Sequence, residues 1–183
     1  VNPKNGDAYL TLTNNPARAL ASTAAATPRY YNDPTGAAKT AQRGNPNGHV
    51  VRFADANRDP AATSFTWDVY LFGSRATMSA DINASGLTED NDFSSPDGMW
   101  FSQAAAGLLW LQTDDGKFTD VTNCMMLAAL PGQVGDGGKR TLTNIGSDGV
   151  STKTQDTVVG AQATDTTLRR FLVGPVACEI TGI

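Results

Sequence analysis

Side chains able to do chemistry are few here, and most are oxygen donors. The 183-residue sequence has one histidine, His49, and two cysteines, Cys124 and Cys178, too few for a four-ligand Cys/His zinc site. The acidic residues are sixteen Asp but only two Glu, Glu89 and Glu179. Any metal must therefore be held mainly by oxygen, the donor that hard cations such as calcium select. Glu89, Asp90, Asn91, Asp92 and Asp97 crowd one stretch, yet it fails the EF-hand pattern, because Ser95 stands where that loop needs Gly and no Glu closes it. The run Asp55 to Pro60 fails too, with Pro60 at the glycine position. A solvated acidic loop is the simpler reading of Asp90 and Asp92.

Three residues stand apart. Asp97 lies between Pro96 and Gly98, which predicts a tight turn just before Met99-Trp100-Phe101; it either bonds its own turn backbone or faces a ligand. Glu179 sits among Val176, Ala177, Cys178 and Ile180. Burying a carboxylate there costs several kcal/mol unless a cation or strong donors accompany it, so a partner is expected unless the position is an exposed edge. Asn14 and Asn15 close an alternating strand and either cap a turn or offer carbonyls to a cation. His49 is the one imidazole, but no GxSxG elbow accompanies it. Phosphate-binding loops of the GxxxxGK[ST] or GxGxxG kind are absent as well.

The elements that must position these residues read as strands. Asp, Asn, Thr and Gly are poor helix formers, and short β-type runs alternate with Gly, Pro, Asn and Asp clusters. The expected strands are 8–13, 48–53, 65–72, 97–101, 108–113, 123–130 and 168–173, with 178–182 opening a further unit. Two approximate copies of one strand series suggest β-propeller blades, although a β-sandwich also spaces short strands regularly. Two segments, 16–47 and 131–167, carry few large apolar groups and read as long irregular insertions in a single domain over 1–183. Within the first, residues 17–26 are alanine-rich enough for a short helix that Pro28 would stop.

Composition removes several function classes. Only 17% of residues are charged and the net charge is −4, so the clustered basic face of a nucleic-acid binder is missing. No run of about eighteen apolar residues is present to span a membrane. The chain opens without Met in VNPKNGDAYLTLT, with no visible signal peptide; a processed or partial chain is expected.

Six stretches, taken together, resemble one family. TLTNN (11–15), NPNGHVVRF (45–53), FTWDVYL (65–71), SPDGMWF (95–101), GLLWLQTDDG (107–116) and LRRFLVGPVACEITGI (168–183) follow the order of the C-terminal part of PhoX-type bacterial alkaline phosphatases. The resemblance implies an all-β fold made of part of a six-bladed propeller. It also implies hydrolysis of phosphate monoesters with calcium and iron as cofactors, and export to the periplasm or outside the cell. By motif position, Glu179, Asp97 and Asn15 are the expected metal ligands, and His49 and Asp114 the expected substrate or outer contacts. Family members are several times longer, so the remaining blades of a propeller are the expected partner, and the isolated chain is expected to be inactive.

Two other readings stay open. A non-catalytic calcium-binding extracellular propeller module would use the same acidic loops for stability alone. An adhesive β-domain would suit the Thr and Asn content and the low charge, and it predicts that Asp97 and Glu179 do not converge.

Overall fold

In the computed structural model, the described residues are 1–15, 20, 45–114, 123–145 and 150–182. They form nine strands: β1 (Ala8–Leu12), β2 (His49–Asp55), β3 (Phe65–Phe72), β4 (Pro96–Phe101), β5 (Leu109–Thr113), β6 (Met125–Ala129), β7 (Lys139–Ile145), β8 (Thr152–Val158) and β9 (Leu168–Val173). The strands are rich in the β-branched, aromatic and alternating apolar residues that fit a half-buried pleated surface. One antiparallel sheet has the order β1-β2-β3, a second β4-β5-β6-β9, and β7-β8 is a two-stranded ribbon. The chain is all-β, in blade-like meanders. Among the described residues no helix is long and apolar enough to cross a membrane. The alanine-rich stretch 17–26 and most of 16–47 lie outside the described residues.

Two expectations are corrected. The segment 131–167 contains the β7-β8 hairpin. Its strands are mostly polar and half-buried or exposed, burying only Leu142, Asn144 and Thr157, so a search for apolar alternation passes over them; Thr nonetheless favours strands. The hairpin is fastened to β3, where Gly160 N–H donates to Val69 O at 2.9 Å. Leu142 enters a small core with Val69, Phe72, Ala84 and Val159. Conversely, residues 178–182 form no strand. Pro175 lacks the N–H a ladder requires, and Ala177 takes the left-handed conformation at φ 62°.

The main core lies between the first two sheets, with Val50, Tyr70, Leu71, Phe93, Phe101, Leu109, Leu111 and Leu127 all buried. Tyr9 joins those sheets, set edge-on to Tyr70 at 5.7 Å and to Phe101 at 5.2 Å between ring centres. Its hydroxyl is buried, with no hydrogen-bond partner among the described residues. Burial pushes the phenol up to about 12, against the opposing pull of Arg52. A phenol whose pKa is higher in the folded chain than the unfolded value of 10.0 supports folding fully below pH 10, and that support disappears as pH climbs through about 12. Tyr9→Phe is therefore expected to change stability by less than about 1 kcal/mol at neutral pH and to soften the loss above pH 10. Urea midpoints at pH 7 and pH 11 check this; equal alkaline losses in both proteins would refute it.

Candidate metal centre

Strand register collects four strand ends at one end of the second sheet. Pro96 of β4 pairs with Thr113 of β5, the Met125 N–H donates to Thr113 Oγ1 at 3.0 Å, and Met125 of β6 pairs with Val173 of β9. At this end three carboxylates meet: one oxygen each of Asp97, Asp114 and Glu179 lie within 4.8 Å of one another, and all three residues are exposed.

Each arrives by a distinct local device. Between the pairs Pro96–Thr113 and Met99–Leu111 the ladder slips, so that Asp97 and Gly98 stand opposite the single residue Gln112. The tight turn expected at Asp97 is thus a bulge within β4, a feature that re-aims a side chain while the strand continues. Gly98 makes room there for the buried Gln112, whose Oε1 would lie 2.2 Å from a Cβ at position 98 and would have to move for any larger residue. Asp114 follows the last residue of β5, and its N–H donates to Ser95 O at 3.1 Å. Glu179 is carried by the turn after β9. There Gly174 N–H donates to Cys124 O at 2.9 Å, Asn123 Nδ2 donates to Gly174 O at 2.9 Å, and Cys178 Sγ occupies the space a Cβ on Gly174 would need. Both cysteines are free thiols.

None of the three carboxylates joins an ion pair among the described residues. Three like charges at such range repel one another, and a cation relieves this. The donor set fits a hard cation: oxygens about 2.4 Å from a central calcium span about 5 Å across it. Glu179 is exposed, the alternative left open by its sequence context, and it converges with two other acids that a shared cation would reconcile. This convergence is also the opposite of what the adhesive reading requires.

The other candidates fall elsewhere. Asn15 is exposed and makes a backbone bridge to Asn45, with N–H to O distances of 2.8 and 2.9 Å. His49 is buried at the start of β2, its Nδ1 3.1 Å from Asn45 Nδ2, and it is not among the three converging groups. Asp92 is held by Arg170 at 2.8 Å and by the Ala76 N–H at 3.2 Å, and burial raises its carboxyl above the usual range. Sequence reasoning passed over Asn45, Asn47, Gly48 and Ser95, whose hydrogen bonds run from the buried 45–48 turn through Ser95 to the Asp114 N–H; the paired turn motifs NPNG and SPDG were the available signal.

Blade-like antiparallel sheets whose ends gather acidic side chains define a propeller-type β protein with a cation-suited cluster. The profile of the family described as alkaline phosphatase PhoX matches residues 1–183, and the chain belongs to that family. It is similar to the solved structure of Pseudomonas fluorescens PhoX in complex with vanadate, a transition state analogue, with 26% identity and a TM-score of 0.60. The similarity covers 98% of this chain and 24% of that one. No curated protein matches the chain.

Proposed function

We propose that the chain forms part of the active site of a metal-dependent phosphatase acting on phosphate monoesters, with Asp97, Asp114 and Glu179 holding a cation. The observation that carries this is the convergence of three exposed carboxylate oxygens within 4.8 Å in a chain of the PhoX family. A bound cation would neutralise phosphoryl oxygens as charge builds on the leaving group. The chain's own part is to fix three anionic oxygens on a rigid sheet end, where the β4 bulge and the β5 terminus set two of them. Nothing basic is needed to attract a phosphate ester, because the positive charge comes with the metal. An all-oxygen set suits a hard cation such as calcium at these three residues, which would take further oxygen ligands beyond them. Asp114, expected as an outer contact, joins the ligand set in this reading, and Asn15, expected as a ligand, stands outside it. His49 stays an outer contact, and an exported location goes with the same reading.

The test is a terbium luminescence titration, with calcium competition, of the wild-type chain and of Glu179→Gln, alongside calcium and iron content and aryl-phosphate hydrolysis. Wild-type binding that competes with calcium and weakens about tenfold or more in Glu179→Gln is expected. No competable binding, or equal affinity in the two proteins, would overturn the assignment. The chain corresponds to 24% of the solved relative, so no turnover by the isolated chain is expected. The calcium-binding module without catalysis has the all-carboxylate donor set in its favour. It is distinguished by a longer protein containing this chain that binds calcium yet leaves aryl phosphates intact.

A further inference from the structure

The turn Asn45-Pro46-Asn47-Gly48 is buried at every position and lies where the two larger sheets meet. Its backbone bonds reach three other segments, the first being Asn15, with which Asn45 exchanges both N–H to O bonds. Gly48 O accepts the Gly73 N–H at 3.0 Å beyond β3, and Asn47 O accepts the Ser95 N–H at 2.9 Å. The turn is closed by the Gly48 N–H, which donates to Asn45 Oδ1 at 3.0 Å, while Asn45 Nδ2 lies 3.1 Å from His49 Nδ1. The approach is close. A Cβ on Gly48 would stand 2.5 Å from Leu12 O and 2.9 Å from Pro96 Cδ, and Gly48 has φ 69°, which favours glycine.

Ser95 transmits this to the carboxylates. Its φ is 48°, a left-handed conformation that a residue with a Cβ holds only when its surroundings impose it. Its N–H is taken by the turn, and its C=O accepts the Asp114 N–H at 3.1 Å. Two residues further on is Asp97. One residue, through its two flanking peptides, thus connects the buried turn to both the β4 bulge and the end of β5.

We propose that Asn45 is a positioning residue for cation binding: by closing the 45–48 turn it holds the Ser95 peptide, and through it the spacing of Asp97 and Asp114. This rests on the cation reading given above. Asn45 touches none of the three carboxylates, so its effect on affinity passes through the backbone. Outer partners that orient metal ligands are worth about 10–100-fold in affinity, and a loss in this range is expected on removing the Asn45 amide.

The experiment compares wild type, Asn45→Ala and Asn45→Asp. Asn45→Asp keeps an acceptor for the Gly48 N–H and a similar volume. Terbium affinity and amide hydrogen exchange are measured on each at a temperature where it is folded. In Asn45→Ala, the Ser95 and Asp114 amides are expected to lose protection while Leu111 in β5 keeps its own, and affinity is expected to fall about tenfold or more; Asn45→Asp restores most of both. Lost protection with unchanged affinity would make Asn45 merely structural and overturn the proposal. Unchanged protection at Ser95 and Asp114 would overturn it as well. Wild type that binds no terbium defeats the cation reading itself and the proposal with it, a result visible before any variant is compared.

Discussion

Arg52→Met is expected to cost about 3–5 kcal/mol of folding stability, the range found when one partner of a buried ion pair is removed. Arg52 and Asp68 both have fully buried side chains. The guanidinium grips Asp68 through Nε–Oδ1 at 3.1 Å and Nη2–Oδ2 at 2.5 Å, reaches Asp136 Oδ1 at 3.0 Å, and lies 5.0 Å from the Tyr70 ring centre. Methionine fills much of the same volume but leaves the Asp68 charge with the Gly135 N–H, 2.6 Å from Oδ2, and no cation. The cost arises from desolvation of the stranded carboxylate, so the double variant Arg52→Met with Asp68→Leu is expected to recover a large part of it. Denaturant midpoints and slopes for the three proteins decide the matter. A single variant within about 1 kcal/mol of wild type would show that water reaches Asp68, or that the pair contributes little.

That pair also shows what the sequence made legible. Alternation in 48–53 and 65–72 is enough to place β2 and β3 as strands, but not to show that Arg52 and Asp68 face each other. This depends on register, and a bulge between Val50 and Val51 shifts it. Local signals of this kind located seven of the nine strands to within two residues at most ends. They missed β7 and β8 because the stability of those strands comes from a fastening to β3 and from Arg140, whose guanidinium donates to Ala84 O at 2.6 Å and Ala80 O at 3.0 Å. No periodicity records such a contact. They misjudged 178–182 because the apolar residues there pack a turn over Gly174.

Much the same division holds for the site. Asp97 and Glu179 could be singled out by residue type and local context, Asp114 only by family resemblance and then as an outer contact, and the three converge. For Glu179 the exposed alternative holds, so exposure removes the desolvation argument and convergence alone marks it. His49 attracted attention as the single imidazole, yet its hydrogen-bonding neighbour is Asn45, inside the turn that braces the site. Sequence marks chemical capability residue by residue, whereas support from a buried turn is a property of three chain segments meeting.

The second large effect expected concerns Asp114→Asn, and it has opposite signs with and without metal. Without a cation, three carboxylate oxygens within 4.8 Å repel one another, and removing one charge should leave the folded chain as stable as wild type or slightly more so. The gain is small because the groups are exposed and salt screens them. With a cation the order reverses. A ligand that binds the folded state at about a hundred times its Kd adds about 2.7 kcal/mol, which for a chain of this size raises Tm by roughly 5–10 °C. Wild type should show that rise in calcium, and Asp114→Asn, one charged donor poorer, should lose most of it at the same calcium concentration. Monovalent salt serves as the control. It should narrow the difference between the two metal-free proteins by screening, but it cannot reproduce the calcium-dependent rise. Melting curves in chelator, in sodium chloride and in calcium separate these effects. Equal calcium-dependent shifts in the two proteins would mean that the carboxylates converge without acting together on a cation, and the site would then have to be sought elsewhere on the sheet ends.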